Sequence, residues 1–361
     1  MLRNERGQSK IYARPLSLSI CSLAICLCAV VCLAQVPSFP FPGDKPSDIP
    51  QGWRHLIGEY GPEQRSLIVL EKSGKLVLHE RGGSEVALQP ATGGNFTFNK
   101  PPAAPLLVRF DVRAKDRAKN VSLGDQTLPR RQLGPEEGHS FQIQASRSIA
   151  ELRKVALAAT PPHEDGHFRE PDLVDVAMLD PTIHLDIRYA TSNDFLGTPV
   201  YTQARAFLQR PAADALGRAL HHLKPFGYGL LIHDAYRPWY VTKIFWDATP
   251  LEGKIFVADP AQGSRHNRGC AVDLTLYELK TGKPIQMPGT YDEMSPRSFP
   301  DYPGGTSLQR WHRDLLRWAM ESEGFTVYEH EWWHFDFKDW HEYPILNVPF
   351  EKLQFSEKQV R

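Results

Sequence analysis

The residue pattern changes character near the middle of the chain, and this change constrains the fold more than any other feature. From Trp53 to about Ala158, short runs with β-branched or aromatic residues alternate with Gly and Pro. That texture is typical of a small antiparallel sandwich or barrel. Beyond residue 170, helical periodicity alternates with short strand-like runs, which indicates an α+β domain built on a small antiparallel sheet flanked by helices. We therefore predict an all-β accessory module over residues 51–158 and an α+β domain over residues 171–355.

Two segments rich in turn-forming or polar residues separate these regions. Residues 35–50 (QVPSFPFPGDKPSDIP) and 159–170 (ATPPHEDGHFRE) are predicted linkers. A length of 361 residues is consistent with two domains, and a hydrophobic fraction of 41% excludes a disordered chain. The formal net charge is zero, so bulk electrostatics favour neither nucleic acid nor an anionic membrane as a partner.

The N-terminus has the pattern of a secretory signal. Residues 1–14 carry four basic residues and one acid, and Leu16–Ala34 has no charged residue. A basic region, an apolar run and a small residue at its end are typical of a cleaved signal peptide. We predict a signal over residues 1–34 and export to the periplasm or the extracellular space. The alternative is an uncleaved anchor on the outer face of the membrane, because a spanning helix needs ~20 apolar residues.

Most of the cysteines lie in this N-terminal segment. Four of the five lie in the predicted signal, which leaves Cys270 alone in the exported chain. An exported chain with one cysteine has no intrachain disulfide and no cysteine-rich zinc site.

Three segments of the C-terminal region carry residues suited to hydrolysis: Asp234–Pro238, Ser264–Asp273 and Glu331–His334. A hydrolytic zinc site uses three protein ligands and keeps its fourth position for water. Two histidines and one aspartate in these segments can supply such a set, namely His266, Asp273 and His334. The bound metal lowers the pKa of its water towards ~7.

Two further residues match the other needs of this chemistry. Glu331 is a candidate general base, and Arg237 is a candidate cation for the oxyanion. Residues three apart on a regular strand lie on opposite faces. Glu331 and His334 can therefore share one site only if the chain contains a bulge or a helical turn there, and the sequence does not reveal one.

The region from about residue 172 to 350 resembles the D-alanyl-D-alanine dipeptidase family of zinc peptidases, which includes the vancomycin-resistance dipeptidase. The resemblance lies in four blocks that follow one another in the family's order. They are Asp186–Val200, Gly227–Pro238, Ser264–Tyr277 and Glu331–His334. It implies one Zn²⁺ held by His266, Asp273 and His334. It also implies Glu331 as general base and Arg237 as the residue that polarises the carbonyl.

The resemblance adds two substrate-binding residues, Ser264 and Asp292, which would hold the termini of the substrate. An acid such as Asp292 suits a free ammonium, and this would explain a preference for dipeptides. The implied function is an exported zinc dipeptidase that converts D-Ala-D-Ala into two D-Ala during peptidoglycan turnover or recycling.

Two other functions remain open at this stage. One is a D,D- or L,D-carboxypeptidase that trims muropeptide tails with the same zinc chemistry. The other is a non-catalytic cell-wall binding protein in which the β module is the active part. The expected partners are a small D,D-dipeptide and, through the β module, peptidoglycan fragments. Neither nucleic acid nor, after signal cleavage, stable membrane insertion is expected.

Overall fold

The computed structural model describes residues 39–80, 82–99, 104–113, 116–134 and 140–353. The predicted signal over residues 1–34 lies outside these residues. Within them, no helix has both the length and the apolar character needed to cross a bilayer. The described residues all belong to one compact unit, so the boundaries between the predicted regions stay predictions.

The β module consists of two antiparallel sheets in which neighbouring strands follow one another in the chain. A short helix, α1 (Gln51–Arg54), precedes them. The first sheet contains β1 (Gly58–Tyr60), β2 (Leu67–Lys72), β3 (Lys75–Glu80) and β4 (Glu85–Ala87). The second contains β5 (Gln89–Pro90), β6 (Phe96–Phe98), β7 (Leu106–Asp111), β8 (Asn120–Leu123) and β9 (Gln126–Pro129).

Strand β2 is buried on both faces. Leu67 and Val69 belong to the core of the module. Ile68 and Leu70 point the opposite way, as alternate residues of a strand must, and pack in a separate buried cluster with Tyr302. The continuous apolar run in β2 therefore reflects two interfaces, one inside the module and one with the C-terminal region.

The C-terminal region is a mixture of helices and strands, as predicted. Its helices are α2 (Ile149–Ala158), α3 (Arg210–Leu223), α4 (Trp239–Ala248) and α5 (Ser307–Glu321). Its strands are β10 (Leu173–Asp175), β11 (Ile183–Leu185), β12 (Phe207–Gln209), β13 (Tyr228–Asp234), β14 (Ala271–Glu278), β15 (Phe325–Tyr328) and β16 (Glu331–Phe337).

The main sheet of this region has the strand order β11-β13-β14-β16-β15. The pairs β13–β14, β14–β16 and β15–β16 are antiparallel, in line with the predicted antiparallel sheet. The pair β11–β13 is parallel and departs from that prediction. A parallel pair needs a long crossover, and the chain between these strands includes helix α3.

Helix α2 lies within the range predicted as all-β and is a correction to that prediction. Its residues Leu152 and Ala156 are fully buried in the core of the C-terminal region. Ser148 caps the helix by accepting a hydrogen bond from the backbone of Glu151. A serine followed three residues later by a glutamate is a sequence signature of a helix start, and the strand assignment overlooked it.

The described part of the first predicted linker, residues 39–50, lies on the C-terminal region and is called the N-terminal arm below. The ring of Phe41 is 5.1 Å from the ring of Trp318. The carbonyl of Gly43 accepts a hydrogen bond from the indole of Trp311 at 2.9 Å. This segment, which was predicted as a linker, therefore packs against the C-terminal region. The second predicted linker, residues 159–170, contains neither helix nor strand.

Candidate active site

Three acidic or imidazole side chains face each other across the centre of the main sheet. Asp273 on β14 is paired with Asp234 on β13 and with His334 on β16. Directly opposed residues on neighbouring strands have Cβ atoms about 4.5–5.5 Å apart on one face. Strand pairing alone therefore brings Asp273 and His334 together, although 60 residues separate them in the sequence.

A break in the register of β16 brings Glu331 to the same place. Val327 pairs with Phe335, but the next residue, Tyr328, pairs with Glu331, so the pairing with β15 skips Trp332–His334. Glu331 and His334 consequently line one pocket, with 3.7 Å between Oε2 of Glu331 and Nδ1 of His334. This register break is the bulge that a site shared by Glu331 and His334 requires, and the sequence does not reveal it.

His266 reaches the sheet from a tight turn immediately before β14. The turn His266–Arg268 ends at Gly269, whose φ of 67° is the left-handed conformation that favours glycine. Asn267 ties the turn to the neighbouring segment by donating hydrogen bonds to the carbonyl of Arg237 and to the hydroxyl of Thr242, both at 2.8 Å. These hydrogen bonds thus connect the turn to the segment that carries Arg237.

The two imidazoles and the carboxylate converge on one point. Nε2 of His266 lies 3.3 Å from Oδ1 of Asp273, and Nδ1 of His334 lies 3.0 Å from the same oxygen. The two histidine nitrogens are 3.1 Å apart. A tetrahedral zinc ion with bonds of ~2.0–2.2 Å separates its ligands by about 3.3 Å. Oδ1 of Asp273 is also buried without a hydrogen-bond partner. The donor set therefore fits a zinc ion.

Neighbouring acceptors set the tautomers of both histidines. Nδ1 of His266 is 2.6 Å from the carbonyl oxygen of Ala235. A carbonyl can only accept, so Nδ1 donates and the lone pair of Nε2 faces the cluster. Nε2 of His334 lies 2.9 Å from Oδ1 of Asp336, which leaves Nδ1 for the cluster in the same way. Such outer partners orient metal-binding histidines.

The carboxylates of Asp273 and Asp336 favour a positive charge at the centre of this cluster. Burial raises the pKa of Asp273, but His266 and His334 outweigh burial, and the pKa lies below its ordinary value. Burial lowers the pKa of His334, but Asp336 and Asp273 outweigh it and raise the pKa to about 10. A divalent cation would satisfy the same electrostatic demand.

Arg237 is a fixed cation in the wall of the pocket. Its Nε and Nη2 lie 2.9 and 2.8 Å from Oδ2 of Asp234, and its guanidinium lies over the ring of Phe245. Burial lowers the pKa of Arg237, but the Asp234 carboxylate outweighs burial and the pKa lies well above its ordinary value. The hydroxyl of Tyr201 donates a hydrogen bond to Oδ1 of Asp234 at 2.6 Å and so fixes the carboxylate that pairs with Arg237.

Glu331 has the properties of a proton carrier. Burial raises its pKa to about 8, and the carboxylate of Asp273 acts in the same direction. A carboxyl group with a pKa near neutrality can both accept and return a proton at physiological pH.

Ser264 and Asp292 lie in the same pocket. Ser264 is buried, and its hydroxyl accepts a hydrogen bond from the backbone of His266 at 3.2 Å. Asp292 has a φ of 58° and accepts a hydrogen bond from the hydroxyl of Tyr189 through Oδ1 at 3.0 Å. Its Oδ2 is buried without a partner. Burial, then Asp273 and Glu331, raise the pKa of Asp292 well above its ordinary value.

All seven residues predicted from the sequence therefore line a single pocket: Arg237, Ser264, His266, Asp273, Asp292, Glu331 and His334. The family described as D-ala-D-ala dipeptidase, Peptidase_M15, matches residues 169–355. The chain belongs to this family. It is accordingly a metallopeptidase, and the matched residues contain the whole pocket.

Individual relatives agree with the family match. The chain is 35% identical to the D-alanyl-D-alanine dipeptidase of Escherichia coli (strain K12) over 179 residues, which cover 50% of this chain and 91% of that protein. It is 36% identical to the D-alanyl-D-alanine dipeptidase of Enterococcus faecalis over 199 residues, covering 49% and 95%. A Streptomyces coelicolor protein of the same name is 35% identical over 175 residues, covering 44% and 87%.

Four residues that support the site of this peptidase had no predicted role: Tyr189, Asp234, Tyr291 and Asp336. Asp336 follows His334 by two residues on a strand, so it had to share that face. Asp234 lies three residues before Arg237 in a segment already singled out. The hydroxyls of Tyr189 and Tyr291 reach Asp292 and Asp273 only through tertiary packing, and no local pattern predicts such contacts.

Proposed function

We propose that this peptidase is a zinc-dependent dipeptidase that hydrolyses D-alanyl-D-alanine to two D-alanine molecules. The observation that carries the proposal is that the three possible zinc ligands, Glu331 and Arg237 line a single pocket. The relatives named above bear the name of this activity. The alternative carboxypeptidase, which trims muropeptide tails, would use the same zinc ligands. The two activities can therefore be distinguished only by the residues that bind the substrate.

The residues His266, Asp273 and His334 would hold the zinc ion. When bound, zinc would polarise the scissile carbonyl and lower the pKa of its water towards ~7. The unpartnered Oδ1 of Asp273 and the lone pairs that face it support this assignment.

Glu331 would take the proton of the attacking water and return it to the leaving amine. Its pKa of about 8 suits both steps. Arg237 would stabilise the negative charge that develops on the carbonyl oxygen. Because Asp234 and the ring of Phe245 already hold its guanidinium, the arginine need not reorganise during the reaction.

Asp292 would bind the free ammonium of the substrate through Oδ2, and Ser264 would bind the opposite terminus. An ammonium beside Asp292 would offset the burial that now raises the pKa of this carboxyl group. An acylated amine carries no charge and would leave Asp292 unsatisfied. This requirement favours free dipeptides over muropeptide tails, and so favours the dipeptidase over the carboxypeptidase.

Export and a role in peptidoglycan turnover belong to the same proposal and depend on the predicted signal over residues 1–34. Peptidoglycan binding by the β module gains no support from the family match, which begins at residue 169. Membership of an enzyme family and the complete set of site residues count against a purely non-catalytic wall-binding role.

The test is a substrate panel on the purified full chain loaded with zinc. We expect D-alanine release from D-Ala-D-Ala, and slow or no hydrolysis of L-Ala-L-Ala and of N-acetyl-D-Ala-D-Ala. If the chain binds zinc but releases no D-alanine, the proposal is wrong. Equal rates on the free and acetylated substrates would favour the carboxypeptidase instead.

A further inference from the structure

The β module is docked on the segment that carries Asp292 into the pocket, residues 288–305, called the substrate loop below. At the end of this loop, the backbone of Glu71 donates a hydrogen bond to the carbonyl of Gly305 at 3.1 Å. The carboxylate of Glu71 accepts one from the backbone of Ser307 at 2.7 Å. Arg310 donates to the carbonyl of Glu71 at 2.7 Å. The module thus fixes the place where the substrate loop enters α5.

An apolar contact fixes the loop a few residues earlier. Tyr302 lies in a buried cluster with Ile68, Leu70 and Val77 on the outward face of strands β2 and β3. The backbone carbonyl of Tyr302 also accepts a hydrogen bond from Arg313 of helix α5 at 2.8 Å. The loop is consequently held between the module and this helix.

Next to Asp292, the loop is closed by an internal clamp formed by Glu293 and Arg297. Glu293 is fully buried. Its carboxylate accepts hydrogen bonds from Nε and Nη2 of Arg297 at 2.6 and 2.7 Å. It also accepts from the backbone and hydroxyl of Thr290, at 3.1 and 2.9 Å, and from the hydroxyl of Ser295. The clamp therefore ties both sides of Asp292 to one carboxylate.

The module packs directly on this clamp at Gly134. A Cβ atom added to Gly134 would lie 2.8 Å from Cδ of Glu293 and 3.1 Å from Nη2 of Arg297. Gly134 has no positive φ, so glycine is needed here for space and not for backbone conformation. Because several hydrogen bonds hold the clamp, its atoms cannot move aside freely.

Asp292 needs such support. It is one of two non-glycine residues with positive φ in the described part of the chain, and its carboxyl group is buried with one unpartnered oxygen. Strained residues of this kind persist only where the surrounding structure determines their conformation. The clamp, and the module that packs on it, fix the backbone conformation of Asp292.

We propose that the β module is a structural part of the substrate site, and that Gly134 and Glu293 are positioning residues that hold Asp292 in place for the ammonium of a free dipeptide. This inference rests on the proposed function. It predicts that a change in the module alters substrate recognition and leaves metal binding intact.

The test compares Gly134→Ala with Gly52→Ala in the full chain. The added Cβ of Gly134→Ala enters the clamp, whereas a Cβ at Gly52 has nothing within 4 Å. For Gly134→Ala we expect the KM for D-Ala-D-Ala to rise about tenfold, since small displacements of positioning groups are costly. We also expect a smaller preference for the free over the N-acetylated dipeptide, with kcat and zinc affinity at wild-type values. Gly52→Ala should match the wild type throughout.

Hydrogen–deuterium exchange gives a readout that needs no turnover. Gly134→Ala should exchange faster than the wild type in peptides covering residues 290–298, and Gly52→Ala should not. If Gly134→Ala fails to fold, Arg297→Lys weakens the same clamp and should give the same changes. An unchanged KM, selectivity and exchange rate in the folded variant would overturn the inference, as would a parallel loss of zinc. A wild type that releases no D-alanine would instead refute the proposed function, and hydrogen–deuterium exchange would still test whether Gly134 supports the clamp.

Discussion

The hydroxyl of Tyr291 donates a hydrogen bond to Oδ2 of Asp273 at 3.0 Å and thereby gives the two oxygens of this carboxylate different partners. Oδ1 faces His266 and His334, and Oδ2 is occupied by the phenol. The ring of Tyr291 stacks on His233 with centroids 4.5 Å apart, so its position is fixed by packing. Tyr291 therefore orients one of the proposed zinc ligands through the carboxylate oxygen that faces away from the two histidines.

Replacing Tyr291 by Phe should weaken zinc binding while the fold is kept. Loss of an outer hydrogen bond to a metal ligand typically lowers metal affinity by about 10–100-fold. Competition with a chromophoric chelator measures this affinity directly. Tyr277→Phe is a matched control, because it removes a hydroxyl that is bonded to the carbonyl of Thr182. Equal affinities in the two variants would contradict the role given to Tyr291.

Replacing Glu331 by Gln should abolish most turnover and retain the metal. General acid–base catalysis contributes about 10²–10⁴-fold, and the amide cannot accept the proton. The measurement is kcat for D-Ala-D-Ala together with the zinc content of the purified variant. Glu329→Gln, two residues earlier and largely exposed, serves as control. A fully active Glu331→Gln would remove this residue from the mechanism.

Replacing Arg237 by Lys should lower kcat by about 10²–10³-fold, the usual cost of losing one oxyanion donor. Lysine keeps the charge but lacks the planar group that bonds to Asp234 through two nitrogens and lies over Phe245. Steady-state kinetics would show the loss in kcat. Zinc affinity, measured by competition with a chelator, should be unchanged. Wild-type kcat in this variant would mean that a positive charge alone is sufficient.

The stability of the chain should fall between pH 7 and pH 5 through His312. This residue is buried, and its Nε2 lies 2.7 Å from the hydroxyl of Tyr228, which also accepts from Lys45 of the N-terminal arm. The hydroxyl therefore donates to a neutral imidazole. Burial, with a smaller effect of Lys45, lowers the pKa of His312 from 6.5 to about 4.

Between these two values the unfolded chain binds a proton that the folded chain does not, so stability decreases as pH falls. The expected loss is about 2 kcal/mol at pH 5 relative to pH 7. Urea unfolding at both pH values, in the wild type and in His312→Gln, isolates this contribution. The variant should show a shallower pH dependence, and an identical slope would contradict the assignment.

The site residues could be predicted where they lie in short sequence motifs. His266, Asp273 and His334 stand in short blocks of recognisable spacing. Strand pairing brings Asp273 and His334 together, and the turn before β14 adds His266. The register break that turns Glu331 towards His334 was not predictable, because the sequence around Trp332 and Trp333 reads as an ordinary buried strand.

Features that depend on contacts between distant segments were missed for the same reason. Helix α2 had a local signal in Ser148 and Glu151 that a strand-based interpretation passed over. The N-terminal arm and the approach of Gly134 to Glu293 have no local signal, since composition identifies a turn or a linker but not the surface on which it packs.

The double burial of β2 has a consequence for how this chain can vary. One face of the strand serves the module and the other covers Tyr302. A shortened protein that starts near residue 171 would expose this tyrosine and the start of α5 to water, and the separated module would expose Ile68 and Leu70. A change in side-chain size at one of these positions therefore calls for a compensating change on the other side of the contact.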